Sequence, residues 1–223
     1  MRRFFLFILV LCIGVPLFAQ VQLMLPEHHF ASGSGNWSFT GNRLFQNAID
    51  SNARLAKVNF RAPQSGPMIY EFNVRYEGNM NQTHGGFGLH IFANNVVHRA
   101  SWGSGTSYLL WLNYDENPVN RAIPRGFSAQ VYRSRSNSLM ELVESFDLNE
   151  FAYLLTWENL TSNVPARIWI NGDTGEVRVY DPTDPDLEYY FYFFLDRRDL
   201  PLRGDWVSLR VNGARLSFGI GLE

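Results

Sequence analysis

The sequence predicts an all-β protein, two antiparallel sheets packed as a jelly-roll sandwich. Three observations predict it: short segments of alternating polarity, turn chemistry between them, and no long stretch with helical spacing. In 68–77 (MIYEFNVRYE), Tyr70, Phe72, Val74 and Tyr76 fall on one side. Glu71, Asn73, Arg75 and Glu77 fall on the other. A period of two with one apolar side marks a half-buried antiparallel strand. Segments 54–61, 107–114, 127–134, 166–171, 175–180, 205–211 and 214–222 repeat the pattern. Between them stand SGSG (32–35), PQSGP (63–67), WGSG (102–105), NGDTGE (171–176), DPTDPD (181–186) and NG (212–213). These are residues that turns require. Asn212-Gly213 predicts a two-residue hairpin, and 168–180 a second one with a longer loop. Short helical turns fit only 44–56 and 140–155. A dozen or so strands exceed what one flat sheet holds, so two sheets must pack.

The chain opens with Arg2 and Arg3, an apolar run from Phe4 to Phe18, then Ala19-Gln20. That is the plan of a secretory signal peptide over 1–19. The apolar run of about fifteen residues reaches about 22 Å as a helix, short of a ~30 Å hydrocarbon core, so a membrane anchor fits less well. A lipoprotein signal at Cys12 fits less well too, because Leu11 is bulky. Residues 20–35 read as an N-terminal extension and 36–223 as one sandwich domain. Cys12, the only cysteine, lies inside the signal. The exported chain therefore has no thiol or disulfide, which suits the periplasm or surface of a bacterium. Without Arg2 and Arg3, 17 basic residues face 21 acidic ones, or −4. That balance excludes general nucleic-acid binding. Lys57 is the sole lysine, so lysine-nucleophile chemistry would have to use it.

Several stretches resemble the concanavalin A-like, laminin G-like jelly-roll superfamily. They are NWSFTGNRLFQN, MIYEFNVRYE, GGFGLHIF, SYLLWLNYD and GDWVSLRVNGARLSFGIGL. The likeness spans most of the exported chain as a pattern of strands and turns. It implies two curved antiparallel sheets. It implies no activity, because the fold hosts lectins, hydrolases, adhesion modules and structural domains.

The candidate site is a strand face. In GGFGLHIFA, Phe87, Leu89 and Ile91 share one face, and Gly88, His90 and Phe92 share the other. His90 then points away from the core. With parity kept on neighbouring strands, Asn73, Arg75, Trp111, Asn113, Gln130 and Tyr132 join it. Rings that stack on sugars, with amides and an arginine that bind hydroxyls, make a carbohydrate platform. The same face also suits a protein contact or plain solvation. On this reading Trp111→Ala and Tyr132→Ala weaken binding without unfolding the domain.

Enzymatic readings find less. A glycosidase needs two carboxyl groups about 5 Å or about 6.5–9.5 Å apart. Carboxylates at i and i+2 or i+4 share a strand face. Glu141 and Glu144 are three apart, Asp115 and Glu116 are adjacent, and Glu71 and Glu77 are six apart. There is no G-x-S-x-G elbow, and the histidines lack zinc spacing. Calcium is the better metal candidate, at Asp181, Asp184 and Asp186, although acidic Asx-Pro turns also form without ions. Segment 187–196 (LEYYFYFFLD) is apolar on both faces, as in a central covered strand or, in the other reading, a strand whose outward aromatics form an interaction surface. The RGD at 203–205 is incidental. The expectation is a non-catalytic extracytoplasmic module that contacts a glycan or an envelope protein assembly, such as the sheath of a periplasmic flagellum. The alternative is a glycan-active hydrolase of the same fold. No cofactor is expected.

Overall fold

A computed structural model describes residues 30–48, 55–78, 84–96, 98–149, 163–182, 184, 186 and 188–221. The predicted signal peptide lies outside the described residues, as do 49–54 and 150–155 of the two segments read as helical turns; within the described parts, 44–46 and 140–147 are strand rather than helix.

Among the described residues, fourteen strands form two seven-stranded antiparallel sheets. The front sheet runs in the order β1 (Phe30–Ser34), β4 (Ala56–Gln64), β13 (Gly204–Asn212), β6 (His84–Ala93), β7 (Ser107–Asp115), β8 (Gly126–Ser134), β9 (Met140–Asp147). The back sheet runs β12 (Tyr190–Phe194), β11 (Glu176–Tyr180), β10 (Val164–Asn171), β5 (Pro67–Tyr76), β14 (Leu216–Ile220), β3 (Arg43–Gln46), β2 (Trp37–Thr40). This is the concanavalin A-like jelly-roll sandwich. β1 belongs to it, so the front sheet begins inside the stretch assigned to an N-terminal extension.

The alternation places the core. Val58, Phe60, Leu89, Ile91, Leu110, Val131, Val207 and Leu209 face inward from the front sheet, and Tyr70, Val74, Ile168, Ile170, Leu216 and Phe218 meet them from the back. Phe87 bridges the layers, with its ring 6.4 Å from Phe72 and 5.8 Å from Phe218 in edge-on contacts. Each such buried side chain contributes about 1.5–3 kcal/mol.

Local turn chemistry decides some connections. Gly41 and Asn42, at φ 55° and 66°, join β2 to β3. Two positive φ values in a two-residue loop match the right-handed twist of a hairpin. β10 and β11 form the second predicted hairpin. The Asn212-Gly213 hairpin does not form. β13 pairs with β4 and β6 in the front sheet, and β14 with β3 and β5 in the back. Gly213 (φ 71°) turns the chain across the sandwich, and Ala214 drops into the core. Both strands are amphipathic, so facing each other across the core buries more apolar area than lying side by side.

Phe92 also departs from expectation. It shares the core with Ile91 rather than the outer face with His90. Its φ of 54° reverses the alternation, as a bulge does, and the β13–β6 register shifts there, between Trp206 and Ser208. The Gln64 carboxamide oxygen accepts the Phe92 amide N–H at 2.8 Å, and Gly204 lies against the Phe92 backbone. The glycine of the RGD sequence is thus packed at the start of β13. Arg133 of β8 pairs with Asp196 and Asp199 of the 196–199 turn, and the Tyr108 hydroxyl donates to Asp199 at 2.5 Å. β12 is an edge strand rather than a central one, and Tyr190, Phe191, Tyr192 and Phe194 are exposed. Its apolar run reflects an uncovered edge, not burial on both faces.

Candidate functional site

The outer face of the front sheet is read along three cross-strand rows. The first is Asn59, Ser208, His90, Leu109, Tyr132 and Leu142. The second is Lys57, Arg210, Gly88, Trp111, Gln130 and Ser145. The third is Asn212, Gly86, Asn113, Ser128 and Asp147. His90, Trp111, Asn113, Gln130 and Tyr132 therefore share one face across β6, β7 and β8, as their parity predicts. Asn73 and Arg75 do not. They lie on β5, in the back sheet. There Asn73 accepts from Arg43 Nη1 at 2.5 Å, and Arg75 pairs with Glu77 at 2.7 Å. Parity says which side of a strand a residue takes, but not which sheet the strand joins.

His90 is fully buried although it points away from the inter-sheet core. The loop between β6 and β7 folds back over it. Lys57 Nζ donates to Ser101 Oγ at 3.0 Å and to the Gly103 carbonyl at 2.7 Å. Arg210 Nη1 donates to the Trp102 carbonyl at 2.8 Å, and Ser134 Oγ to that of Gly105 at 2.8 Å. His90 Nδ1 lies 3.0 Å from Ser107 Oγ. Burial holds the Lys57 ammonium down to about 7, and the charge of Arg210 adds to the effect. Burial, then Lys57 and Arg210, push the His90 imidazole well below its usual range. A histidine kept neutral in this way is a structural group here rather than a solvent-facing one.

Beyond the loop the face opens into a cleft of about 570 Å³. Its lining includes Trp102, Trp111, Asn113, Gln130, Tyr132 and Arg210. Gly86 and Gly88 make the shelf for Trp111. A Cβ on Gly86 would come within 3.0 Å of indole Cζ2, and one on Gly88 within 2.9 Å of Cε3. The indole thus lies over two residues without side chains. The Arg210 guanidinium sits 5.1 Å from the Trp111 ring and 4.9 Å from the Trp102 ring. Burial brings Arg210 down to about 10. Trp102 is 56% exposed and forms one wall. The polar groups are fixed by bonds at i and i+2. Trp111 Nε1 donates to Asn113 Oδ1 at 3.0 Å, Tyr132 Oη to Gln130 Oε1 at 2.7 Å, and Gln130 Nε2 to Ser128 Oγ at 2.8 Å. An aromatic wall beside oriented amides and a hydroxyl can stack on an apolar sugar face and bond its hydroxyls.

Trp111 is only 8% exposed, so Trp111→Ala costs stability as well as any binding, contrary to the expectation from sequence. Lys57, Trp102 and Arg210 were not among the predicted site residues. Parity sets Lys57 and Arg210 opposite Val58 and Leu209 on their strands, but it does not say that β4 and β13 join this sheet, and nothing local brings Trp102 across three strands to them.

The acidic loop is arranged for another purpose. Asp184 Oδ2 accepts the amides of Glu188 at 2.6 Å and Tyr189 at 2.8 Å, and its Oδ1 that of Asp186 at 3.1 Å. These bonds, the Tyr189 amide foremost, hold its carboxyl below the usual carboxylate range. Among the described residues no three His, Cys, Asp or Glu side chains are grouped to hold a metal ion. Asp181, Asp184 and Asp186 are thus not grouped as metal ligands among the described residues, and Asp184 caps its own loop.

No family model matches the chain, and no curated protein matches it. Solved structures do. A carbohydrate-binding module from Bacillus subtilis is 11% identical with a TM-score of 0.52, over 92% of this chain and 97% of that one. A protein of unknown function with a galectin-like fold, also from B. subtilis, is 15% identical at 0.47, over 85% and 86%. A lectin from Bauhinia forficata is 14% identical at 0.45, over 87% and 93%. At such identities the likeness establishes the sandwich and its topology and nothing finer.

Proposed function

We propose that the protein is a non-catalytic, exported glycan-binding module that engages its ligand on the outer face of the front sheet. The observation that carries this is the cleft between Trp102 and Trp111, with Asn113, Gln130 and Tyr132 held in fixed orientations beside it. Solved structures of the same sandwich include a carbohydrate-binding module, which is consistent with this use of the fold. The sequence-level expectations of a signal peptide and a cysteine-free exported domain place the ligand in the periplasm or at the surface of a bacterium. Asp115 is the one carboxylate among the lining residues. Two-carboxylate hydrolysis would need a second acid at the reacting bond, so binding is favoured over the hydrolase alternative.

Trp102→Ala tests the reading. The side chain is mostly exposed and its backbone carbonyl is kept, so the fold should lose no more than about 1 kcal/mol. Truncating a wall tryptophan should cost about 2 kcal/mol of binding, or more than tenfold in affinity. Affinity electrophoresis in gels containing bacterial polysaccharides would show it. Unchanged retention would remove the cleft from consideration. Tyr132→Phe should weaken binding by a smaller factor, roughly fivefold, as Gln130 loses the bond that orients it.

A second reading, a subunit of an envelope protein assembly such as a flagellar sheath, draws on the exposed aromatic edge of β12. It predicts a stoichiometric partner crosslinked in native envelopes by the wild type and lost in Tyr192→Glu.

A further inference from the structure

The Arg210 end of the cleft holds two buried cations with no acid beside them. Lys57 and Arg210 stand directly opposite each other on β4 and β13. Arg210 is 3% exposed and Lys57 is fully buried. Neither pairs with a carboxylate among the described residues, whereas Arg133, Arg167 and Arg178 all do. Like charges directly opposite across a strand pair repel. A buried charge is costly unless it is paired. Arg210 Nε is also buried without a hydrogen-bond partner among the described residues. Both indoles lie about 5 Å from the guanidinium, and Nη1 already donates to the Trp102 carbonyl, which leaves the Nε–Nη2 edge as the group able to bond.

The rest of the cleft does not supply the missing charge. Asp115 is four residues from Trp111 on β7 and pairs across the strands with His84. Four residues of strand put it roughly 14 Å from the Trp111 row. Gln130 and Asn113 are neutral, and Tyr132 keeps its proton, its hydroxyl pushed upward chiefly by burial. The charged and titratable groups around Arg210 are thus Lys57, His90, Tyr132 and, further off, His84 and Asp115.

Building on the glycan-binding reading, we propose that the ligand is an acidic glycan whose anionic oxygen group, a carboxylate or a sulfate, docks on the Arg210 guanidinium edge between Trp102 and Trp111. The planar fork of arginine matches both groups in two-point geometry. The indoles hold the fork in place before the ligand arrives, so little side-chain freedom is lost on binding. The neighbouring sugar rings then lie along Trp111 toward Asn113 and Gln130. The bound anion supplies the counter-charge that the fold leaves out.

The test compares matched ligands on the unmodified protein. Oligomers of galacturonate, of alginate and of glucuronate-containing polymer are titrated calorimetrically beside the same oligomers after reduction of their carboxyl groups. Sulfated and desulfated galactan oligomers form a second arm, and neutral glucan, xylan and mannan oligomers a third. The expected result is binding of one acidic series that falls at least tenfold when its charge is removed. Loss on carboxyl reduction identifies a carboxylate, and loss on desulfation a sulfate. Equal affinity for charged and neutral members of a pair overturns the acidic-ligand proposal while the glycan-binding reading stands. Binding only in the neutral arm does the same. No binding in any arm overturns both. Arg210→Gln, checked for folding by its melting transition, should weaken the charged ligand at least tenfold and weaken its neutral partner by a smaller factor; an equal loss for both members of the pair would overturn the proposal.

Discussion

Gly88→Ala should cost about 4 kcal/mol, one of the largest single-residue effects in the protein. The added Cβ would stand 2.1 Å from the Leu110 carbonyl oxygen and 2.9 Å from both Trp111 Cα and Cε3. Two of these contacts are backbone of the paired strand, so no side-chain rotation can relieve them. β6 and β7 would have to part where Arg210, Trp111 and Gln130 stand in one row. In a domain of this size that cost lowers the melting temperature by roughly 10 °C, and the tilted indole should also lose the ligand. Gly41→Ala is the control. Its Cβ meets nothing within 4 Å, so only the positive φ opposes it, at about 1 kcal/mol. Equal melting temperatures for the two variants would show that β6 has slack the geometry does not reveal.

Stability should rise with pH from 7 to 9 by about 2 kcal/mol through Lys57 alone. The folded state holds this ammonium at about 7, mainly because it is buried and further because Arg210 is opposite. The unfolded chain keeps its proton until about 10.4. Between those values the unfolded state binds more protons, so raising the pH favours the fold. The penalty is fully present below pH 7 and vanishes above about 10.4. His90 acts with the same sign at lower pH. Its imidazole resists protonation when folded, so stability falls as the pH drops below about 6.5. Urea unfolding at pH 7, 8 and 9 measures the slope. Lys57→Met should flatten it and raise stability at pH 7, because Ser101 Oγ still donates to the Gly103 carbonyl at 2.9 Å. A slope that survives in Lys57→Met would mean that the amine is solvated rather than buried. A bound acidic glycan should flatten the slope in the wild type as well, because its charge lets Lys57 stay protonated.

The side of the strand taken by each cleft residue was legible before the structure. His90, Trp111, Asn113, Gln130 and Tyr132 share a face because alternation is a property of consecutive residues. The same alternation turns Lys57 and Arg210 away from Val58 and Leu209, but only the pairing of β4 with β13 in the front sheet brings them to this face. Alternation failed at Phe92, where one residue at positive φ reverses the order. The buried state of His90 and Lys57 was not legible, because the cover is a loop that crosses β6, β13 and β4.

Local sequence determined that this chain is all-β, that it packs as two sheets, and, Phe92 apart, which side of its strand each cleft residue takes. Period-two polarity and turn residues act over a few positions, and they carry that much. Tertiary structure alone decided that Asn73 and Arg75 face away from the cleft, that Asn212-Gly213 crosses between sheets, and that Trp102 meets Arg210. Sheet membership and loop docking follow from which distant surfaces bury the most apolar area together. That is a property of the whole chain, and no window of neighbouring residues contains it.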